Sequence, residues 1–270
     1  ENYQKWLDFA ELPAYLREEL VAMDEKTKED AFYTNLEFGT AGMRGLIGAG
    51  TNRINIYVVR QATEGLAQLI DSKGEEAKKR GVAIAYDSRH FSPEFAFESA
   101  QVLAAHGIKS YVFESLRPTP ELSFAVRHLH TFAGIMVTAS HNPAPFNGYK
   151  VYGEDGGQMP PADADALTDY IRAIENPFTV ELADLEESKA NGLIEVIGEN
   201  VDAEYLKEVK GVNINQDLIN EYGRDMKIVY TPLHGTGEML ARRALAQAGF
   251  EAVQVVEAQA VPDADFSTVK

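Results

Sequence analysis

The sequence has 270 residues, 42 of them acidic and 25 basic, and its net charge of −17 argues against binding to nucleic acid or to an anionic membrane. It has no cysteine, which excludes disulfides and thiolate metal sites. No apolar run reaches the about 18 residues of a membrane helix, and the N-terminus lacks the pattern of a signal peptide, so we expect a cytoplasmic protein.

The first 50 residues divide into a helical part and a glycine-rich part. Apolar residues recur near helical spacing over residues 2–34, which predicts amphipathic helices that serve packing. Residues 36–50 contain five glycines and either form a hairpin or let the backbone approach a ligand closely. Arg44 lies among them and favours an anion site, because guanidinium matches phosphate geometry. The spacing fits neither G-x-G-x-x-G nor the Walker pattern, so we infer no nucleotide site.

Alternating strands and helices follow. The sequence predicts a helix over 55–72 and strands over 82–86, 109–114 and 132–137, with helices from Ser92, as the cap, to Gly107 and from Pro118 to Leu129. This order predicts βαβ units and an α/β fold. Such sheets bind ligands at the carboxyl ends of their strands. Asp87, Arg89 and Ser140 follow two of the strands, which indicates a shared site.

The last third of the chain predicts a second unit of the same kind. A helix from Pro161 to about Ile174 is followed by a polar stretch, 176–200, that we interpret as a link. Helices are expected over 199–210, 215–222 and 238–248, with strands over 226–230 and 252–256. We therefore expect one domain over residues 1–200 and part of a second over residues 201–270.

The run Thr138-Ala-Ser-His-Asn-Pro143 places one hydroxyl directly after a buried strand. A scaffold of this kind holds a loop residue toward a cleft, and Lys150 follows closely. These neighbours suit a phosphorylated serine, which needs donors and cations around it. A serine hydrolase is disfavoured because no G-x-S-x-G motif surrounds Ser140. The remaining alternative is an ordinary turn.

Four segments carry a family resemblance. Residues 138–158 resemble the phosphoserine loop of the alpha-D-phosphohexomutases, and within that family they are most similar to the bacterial alpha-phosphoglucomutases. Residues 38–45, 86–89 and 230–237 resemble further family segments in the same order. The resemblance implies a three-layer α/β/α first domain with a mixed sheet, plus part of a second, similar α/β domain.

The resemblance also implies an activity. Ser140 would carry a phosphate and exchange it with glucose 1-phosphate or glucose 6-phosphate, with glucose 1,6-bisphosphate as the intermediate. Phosphomannomutase or phosphopentomutase activity, or non-catalytic binding of a sugar phosphate, are the alternatives.

Roles for the neighbouring residues follow from the same likeness. Lys150 would exchange protons or act as an electrostatic clamp, and His141 would donate to the phosphate or assist proton transfer. Asn142 would bind phosphate or hold the loop, and Arg44 would bind phosphate. Arg89 would bind phosphate or pair with Asp87, and we favour the ion pair. His234, in the second unit, would bind an anion or serve packing.

A metal is implied as well. The family binds Mg²⁺ through the serine phosphate and a loop with three aspartates and an arginine. The nearest match here has only Asp263 and Asp265, and Phe266 stands where arginine is required, so we reject both as ligands. Apart from the Ser140 phosphate, the ligands are expected beyond Lys270. The chain is thus expected to be an N-terminal fragment with little activity of its own.

Overall fold

The computed structural model describes residues 1–269. Three helices open the chain, as predicted: α1 (Asn2–Asp8), α2 (Ala14–Ala22) and α3 (Glu25–Phe32). The long α4 (Ile56–Lys73) begins at Asn55, whose Oδ1 accepts hydrogen bonds from the amides of Tyr57 and Val58. The same side chain donates to the carbonyls of Gly48 and Gly50, so one residue caps the helix and anchors the glycine-rich segment.

A six-stranded mixed sheet forms the centre of the first unit, in the order β1-β5-β4-β2-β3-β6. Strands β2, β3, β4 and β6 run parallel, whereas β5 is antiparallel to both β4 and β1. The strands are β1 (Met43–Leu46), β2 (Val82–Tyr86), β3 (Ser110–Phe113), β4 (Ala133–Val137), β5 (Phe146–Tyr152) and β6 (Ile194–Ile197).

Both faces of this sheet are covered. Alternate residues of β2 enter two separate apolar clusters, Val82 and Ile84 on one side and Ala83 and Ala85 on the other. All of β2 and β4 is therefore buried, as expected for parallel strands between two helical layers. The helices of this unit after α4 are α5 (Glu75–Arg80), α6 (Ser92–Ala105), α7 (Thr119–His128), α8 (Pro161–Arg172) and α9 (Leu185–Ala190).

Two details of the sequence interpretation are wrong. The stretch 176–200 is not merely a link, because it contains α9 and the edge strand β6, which pairs with β3. Ser92 is not the cap of α6: Phe91 holds that position with φ 65°, and Ser92 is the first helical residue. The Ser92 hydroxyl donates instead to Asp87 Oδ1 at 2.7 Å, which ties the helix start to the end of β2.

The second unit contains a βαβ arrangement. Strands β7 (Ile228–Tyr230) and β8 (Val253–Val255) are parallel and are joined by α12 (Glu238–Ala248). Helices α10 (Glu199–Lys210) and α11 (Gln216–Tyr222) precede them. Gly249 ends α12 with φ 115°, a conformation that favours glycine. No helix within residues 1–269 is long and apolar enough to span a membrane.

A buried ion pair joins the two units. Arg117, which precedes α7, donates to both carboxylate oxygens of Asp202 on α10, at 2.8 and 2.7 Å. Glu121 lies beside this pair and is fully buried. Burial and the neighbouring Asp202 raise the pKa of Glu121 to about 9, so its carboxyl is protonated at neutral pH.

Candidate active site around Ser140

The candidate site lies where β2 and β4 end side by side. Because the two strands are parallel neighbours, the residues that follow them meet at one sheet edge. Thr138 Oγ1 donates to Asp87 Oδ2 at 2.6 Å and accepts from the Ser140 amide at 3.0 Å. Ser140 is therefore held by hydrogen bonds through Thr138 to Asp87, residues that follow the two strands.

Ser140 has an unusual backbone conformation. Its φ is 55°, in the left-handed region that non-glycine residues seldom adopt. Ala139 is buried beneath it, whereas Ser140 itself is exposed. Its Oγ lies 3.4 Å from His141 Nδ1. The strained backbone therefore presents the hydroxyl to solvent, and such strain is common at functional sites.

Arg89 holds the loop from below. The residue is only 3% exposed, and its two terminal nitrogens donate to four backbone carbonyls, two from each nitrogen, at 2.6 to 3.0 Å. The carbonyls belong to Ser140, Asn142, Pro143 and Phe146. Its Nε lies 3.3 Å from Asp87 Oδ2. This placement favours the ion pair with Asp87 over contact with a phosphate.

The two antiparallel strands β5 and β1 bring two cations to the same loop. Lys150 lies on β5 opposite Met136 of β4, and Arg44 lies on β1 opposite Gly148. Arg44 is exposed, and its Nη1 donates to Asn142 Oδ1 at 3.4 Å. A Cβ at Gly148 would collide with the carbonyl of Thr138 and crowd Arg44, so glycine permits this close packing.

Lys150 is only 8% exposed. Its pKa is lowered mainly by burial and further by the positive charge of Arg44, while Asp87 acts in the opposite direction. A lysine with a lowered pKa gives up its proton more readily and can take part in acid–base exchange. Local positive charge at this edge contrasts with the net charge of −17 of the chain.

The structure brings together the residues expected from the sequence: Ser140, His141, Asn142, Lys150, Arg44 and Arg89. Sequence reasoning anticipated the pairing of Asp87 with Arg89 but missed the rest of the support beneath these residues. Asp87, Thr138 and Asn147 hold the loop and the start of α6 in place, and Asn147 donates to both the His90 carbonyl and the Ser92 hydroxyl. The available signal was the position of Asp87 and Thr138 directly after two predicted strands.

His234 lies in the second unit, and its ring is fully occupied. Nδ1 lies 2.9 Å from the Val261 carbonyl and Nε2 lies 2.7 Å from Thr268 Oγ1. The residue is also 2% exposed. These contacts favour the packing interpretation over anion binding.

The residues present do not make a Mg²⁺ site. Within residues 1–269 no group of three or more His, Asp or Glu side chains is placed to hold a metal ion. Near Ser140, both oxygens of Asp87 already accept hydrogen bonds from Arg89, Ser92 and Thr138. Asp263 accepts hydrogen bonds from the amides of its own turn. A phosphate on Ser140 would supply only one ligand, so these residues alone do not complete a metal site.

A cavity of about 1020 Å³ lies elsewhere, between the N-terminal helices and α8. Trp6, Phe9 and Phe178 line it, and the ring centroids of Phe9 and Phe178 are 4.3 Å apart. None of the residues around Ser140 lines this cavity. Its aromatic wall is typical of core packing.

Fold and site define an α/β/α domain that presents one exposed serine, on a loop contacted by Arg44 and Arg89, where its parallel strands end. Two family models match the chain: phosphoglucomutase/phosphomannomutase alpha/beta/alpha domain I over residues 35–178, and domain II over residues 203–270. The chain belongs to the phosphoglucomutase/phosphomannomutase family.

Individual relatives agree with this assignment. A phosphoglucomutase from Staphylococcus epidermidis is 40% identical over 243 residues, covering 90% of this chain and 43% of the relative. One from Staphylococcus haemolyticus is 37% identical over 270 residues, covering the whole chain and 47% of the relative. A provisionally assigned phosphomannomutase from Thermus thermophilus has the same fold, with a TM-score of 0.71 and 24% identity, over 88% of this chain and 48% of that one. The chain spans less than half the length of these proteins.

Proposed function

We propose that this chain is the phosphoserine-bearing part of a phosphoglucomutase that interconverts glucose 1-phosphate and glucose 6-phosphate. One observation carries the proposal: Ser140 is exposed in a left-handed backbone conformation, and Arg44, whose charge lowers the pKa of Lys150, contacts the neighbouring loop residue Asn142. Phosphoryl transfer depends mainly on such positioning and charge stabilisation. The relatives named phosphoglucomutase, at about 40% identity, support this choice of sugar.

The reaction is a double transfer. The bond between the Ser140 oxygen and phosphorus breaks, and a bond forms between phosphorus and the free hydroxyl oxygen of the sugar monophosphate. The hydroxyl proton leaves to a base, the Ser140 oxygen takes up a proton as it leaves phosphorus, and glucose 1,6-bisphosphate results. The second transfer returns the other phosphate to Ser140, so the net reaction is an isomerisation. Glucose 1,6-bisphosphate that escapes would restore the phosphoserine and thus act as an activator.

Each neighbouring side chain has a role in this scheme. Lys150, with its lowered pKa, exchanges the proton with the sugar hydroxyl and balances charge on the phosphate. Arg44 binds phosphate from the exposed side, and Asn142 orients Arg44 through its amide oxygen. His141 donates to the phosphate on Ser140. Arg89 acts through the loop backbone.

We propose a first domain over residues 1–200 and part of a second over residues 201–270. The position of β6 (Ile194–Ile197) as the last strand of the main sheet supports this division. The complete protein would use Mg²⁺ to withdraw charge from the phosphate, with the Ser140 phosphate as the ligand from this chain. We also propose a cytoplasmic location, where the charge of sugar phosphates keeps them from crossing a membrane.

Turnover of glucose 1-phosphate by the protein expressed from the full coding sequence tests the proposal. Ser140→Ala should abolish turnover and also the mass gain of about 80 Da that a phosphoserine adds. Ser72→Ala, on the exposed end of α4, is the matched control and should retain both. Normal turnover by Ser140→Ala would refute the proposal. Faster turnover of mannose 1-phosphate or of a pentose phosphate than of glucose 1-phosphate would change the assigned sugar.

A further inference from the structure

A turn of the second unit contacts the support of the Ser140 loop in the first unit. The Phe266 ring centroid lies 5.2 Å from the guanidinium carbon of Arg89, whose nitrogens hold the loop carbonyls. Asp265 Oδ1 lies 2.6 Å from His90 Nε2. Two adjacent residues of one unit thus contact two adjacent residues of the other.

The turn that makes these contacts is itself well held. Asp263 caps it, because its carboxylate accepts hydrogen bonds from the amides of Asp265 and Ser267, each at 3.0 Å. The Phe266 amide donates to the Asp263 carbonyl, and Phe266 adopts φ 48°. The side chains of Asp265 and Phe266 are therefore presented by a fixed backbone.

Both contacts lead directly to the Ser140 loop. Arg89 is almost fully buried, and among residues 1–269 nothing accepts a hydrogen bond from its Nε. Burial disfavours the guanidinium charge, the Asp87 carboxylate offsets part of this effect, and the aromatic face of Phe266 adds a further favourable contact. His90 is linked to the loop through its carbonyl, which accepts a hydrogen bond from Asn147.

We propose that Asp265 and Phe266 are positioning residues for the Ser140 loop. By covering Arg89 and holding His90, the turn of the second unit stabilises the left-handed Ser140 conformation that presents the hydroxyl. Packing of the second unit against Arg89 and His90 thereby affects the rate at which Ser140 exchanges phosphate. The predicted effect on phosphate exchange rests on the proposed function, whereas the predicted effect on the Ser140 loop does not.

Hydrogen–deuterium exchange of the unphosphorylated 270-residue chain tests the loop effect. Phe266→Leu removes the aromatic face. Leucine, like phenylalanine, branches at Cγ and not at Cβ, so the left-handed backbone carries a comparable side chain. We expect amides of residues 138–147 to exchange about fivefold faster, as expected for loss of a buried cation–π contact. Asp265→Asn should also accelerate exchange of these amides, whereas Phe266→Tyr keeps an aromatic ring and should retain the rates of the unmodified chain. Tyr222→Leu, an exposed aromatic on α11, is the control and should change nothing there.

A purely local role gives a different result. If Phe266→Leu accelerates exchange only in residues 253–269 and leaves residues 138–147 unchanged, the positioning role is wrong. Transfer from glucose 1,6-bisphosphate to Ser140 in the complete protein is the second measurement. Phe266→Leu should lower the maximal rate severalfold with little change in half-saturation, because Phe266 does not touch the sugar. Failure of the unmodified protein to take up phosphate would refute the proposed function while the exchange result still decides the inference.

Discussion

Thr138 Oγ1 and Asp87 Oδ2 are joined by a hydrogen bond of 2.6 Å that links the ends of two parallel strands. The same hydroxyl accepts a hydrogen bond from the Ser140 amide. Asp87 also accepts from the Arg89 amide and the Ser92 hydroxyl, so the carboxylate connects the Ser140 loop with the start of α6. The loop geometry therefore depends on a polar network beneath the exposed serine.

Thr138→Val should show how much this network contributes to stability. Valine keeps the shape of threonine but removes the donor to Asp87 Oδ2 and leaves the Ser140 amide without its acceptor. We expect the free energy of unfolding to fall by about 1–3 kcal/mol, measured by urea denaturation. Thr138→Ser retains the hydroxyl and should lose about 1 kcal/mol or less. Equal losses in the two variants would contradict the importance of the hydroxyl.

Arg44→Gln should raise the pKa of Lys150. The positive charge of Arg44 lowers that pKa in addition to the larger effect of burial, so its removal moves the value partway back toward 10.5. Nuclear magnetic resonance of the Lys150 side chain during a pH titration measures the shift. Arg242→Gln, an exposed change on α12, is the control and should leave the titration in place. An unchanged Lys150 titration in Arg44→Gln would show that the two charges do not interact.

His106 should make stability depend on pH. Its ring nitrogens lie 2.6 Å from carboxylate oxygens of Glu64 and Asp71. Hydrogen bonding to Glu64, followed by the bond to Asp71, outweighs burial and raises the pKa of His106 to about 9.

Because the folded pKa exceeds the unfolded value of 6.5, this stabilisation is complete below 6.5 and is lost as the pH rises through about 9. Unfolding free energies of the unmodified chain and His106→Gln should therefore differ most near about pH 6 and converge near about pH 10. A difference that stays constant over this range would exclude a charged His106 as its source.

Neutral substitutions of Glu121 and Asp202, the buried carboxyl groups between the units, should change the free energy of unfolding unequally. Glu121 is already protonated at neutral pH, so Glu121→Gln should change the free energy of unfolding by about 1 kcal/mol or less. Asp202→Asn deprives the buried Arg117 of its closest carboxylate partner and should cost about 3–5 kcal/mol. Chemical denaturation of both variants measures the contrast. A larger loss in Glu121→Gln than in Asp202→Asn would mean that Glu121 is the ionised partner.

The sequence-based prediction was accurate where a segment has a simple apolar pattern. Strand β2 was predicted over its full range because every one of its residues is buried and apolar. Strand β5 was missed because it contains Asn147, Gly148 and Lys150, which are buried by contacts with distant segments. Strand β6 was missed because it lies at an edge with Glu195 and Val196 exposed, so it resembles a polar linker.

Local sequence by itself determined the buried parallel strands β2, β3 and β4, the helices between them and the identity of the serine loop, because these depend on short-range patterns and on residues adjacent in the chain. Only the tertiary structure decided what Arg89 does. Its donors reach four carbonyls that lie 51 to 57 residues away, and one face of its guanidinium is covered by Phe266 from the second unit. Backbone carbonyls are present in every residue and leave no mark in the sequence, so only folding shows which of them a buried guanidinium binds.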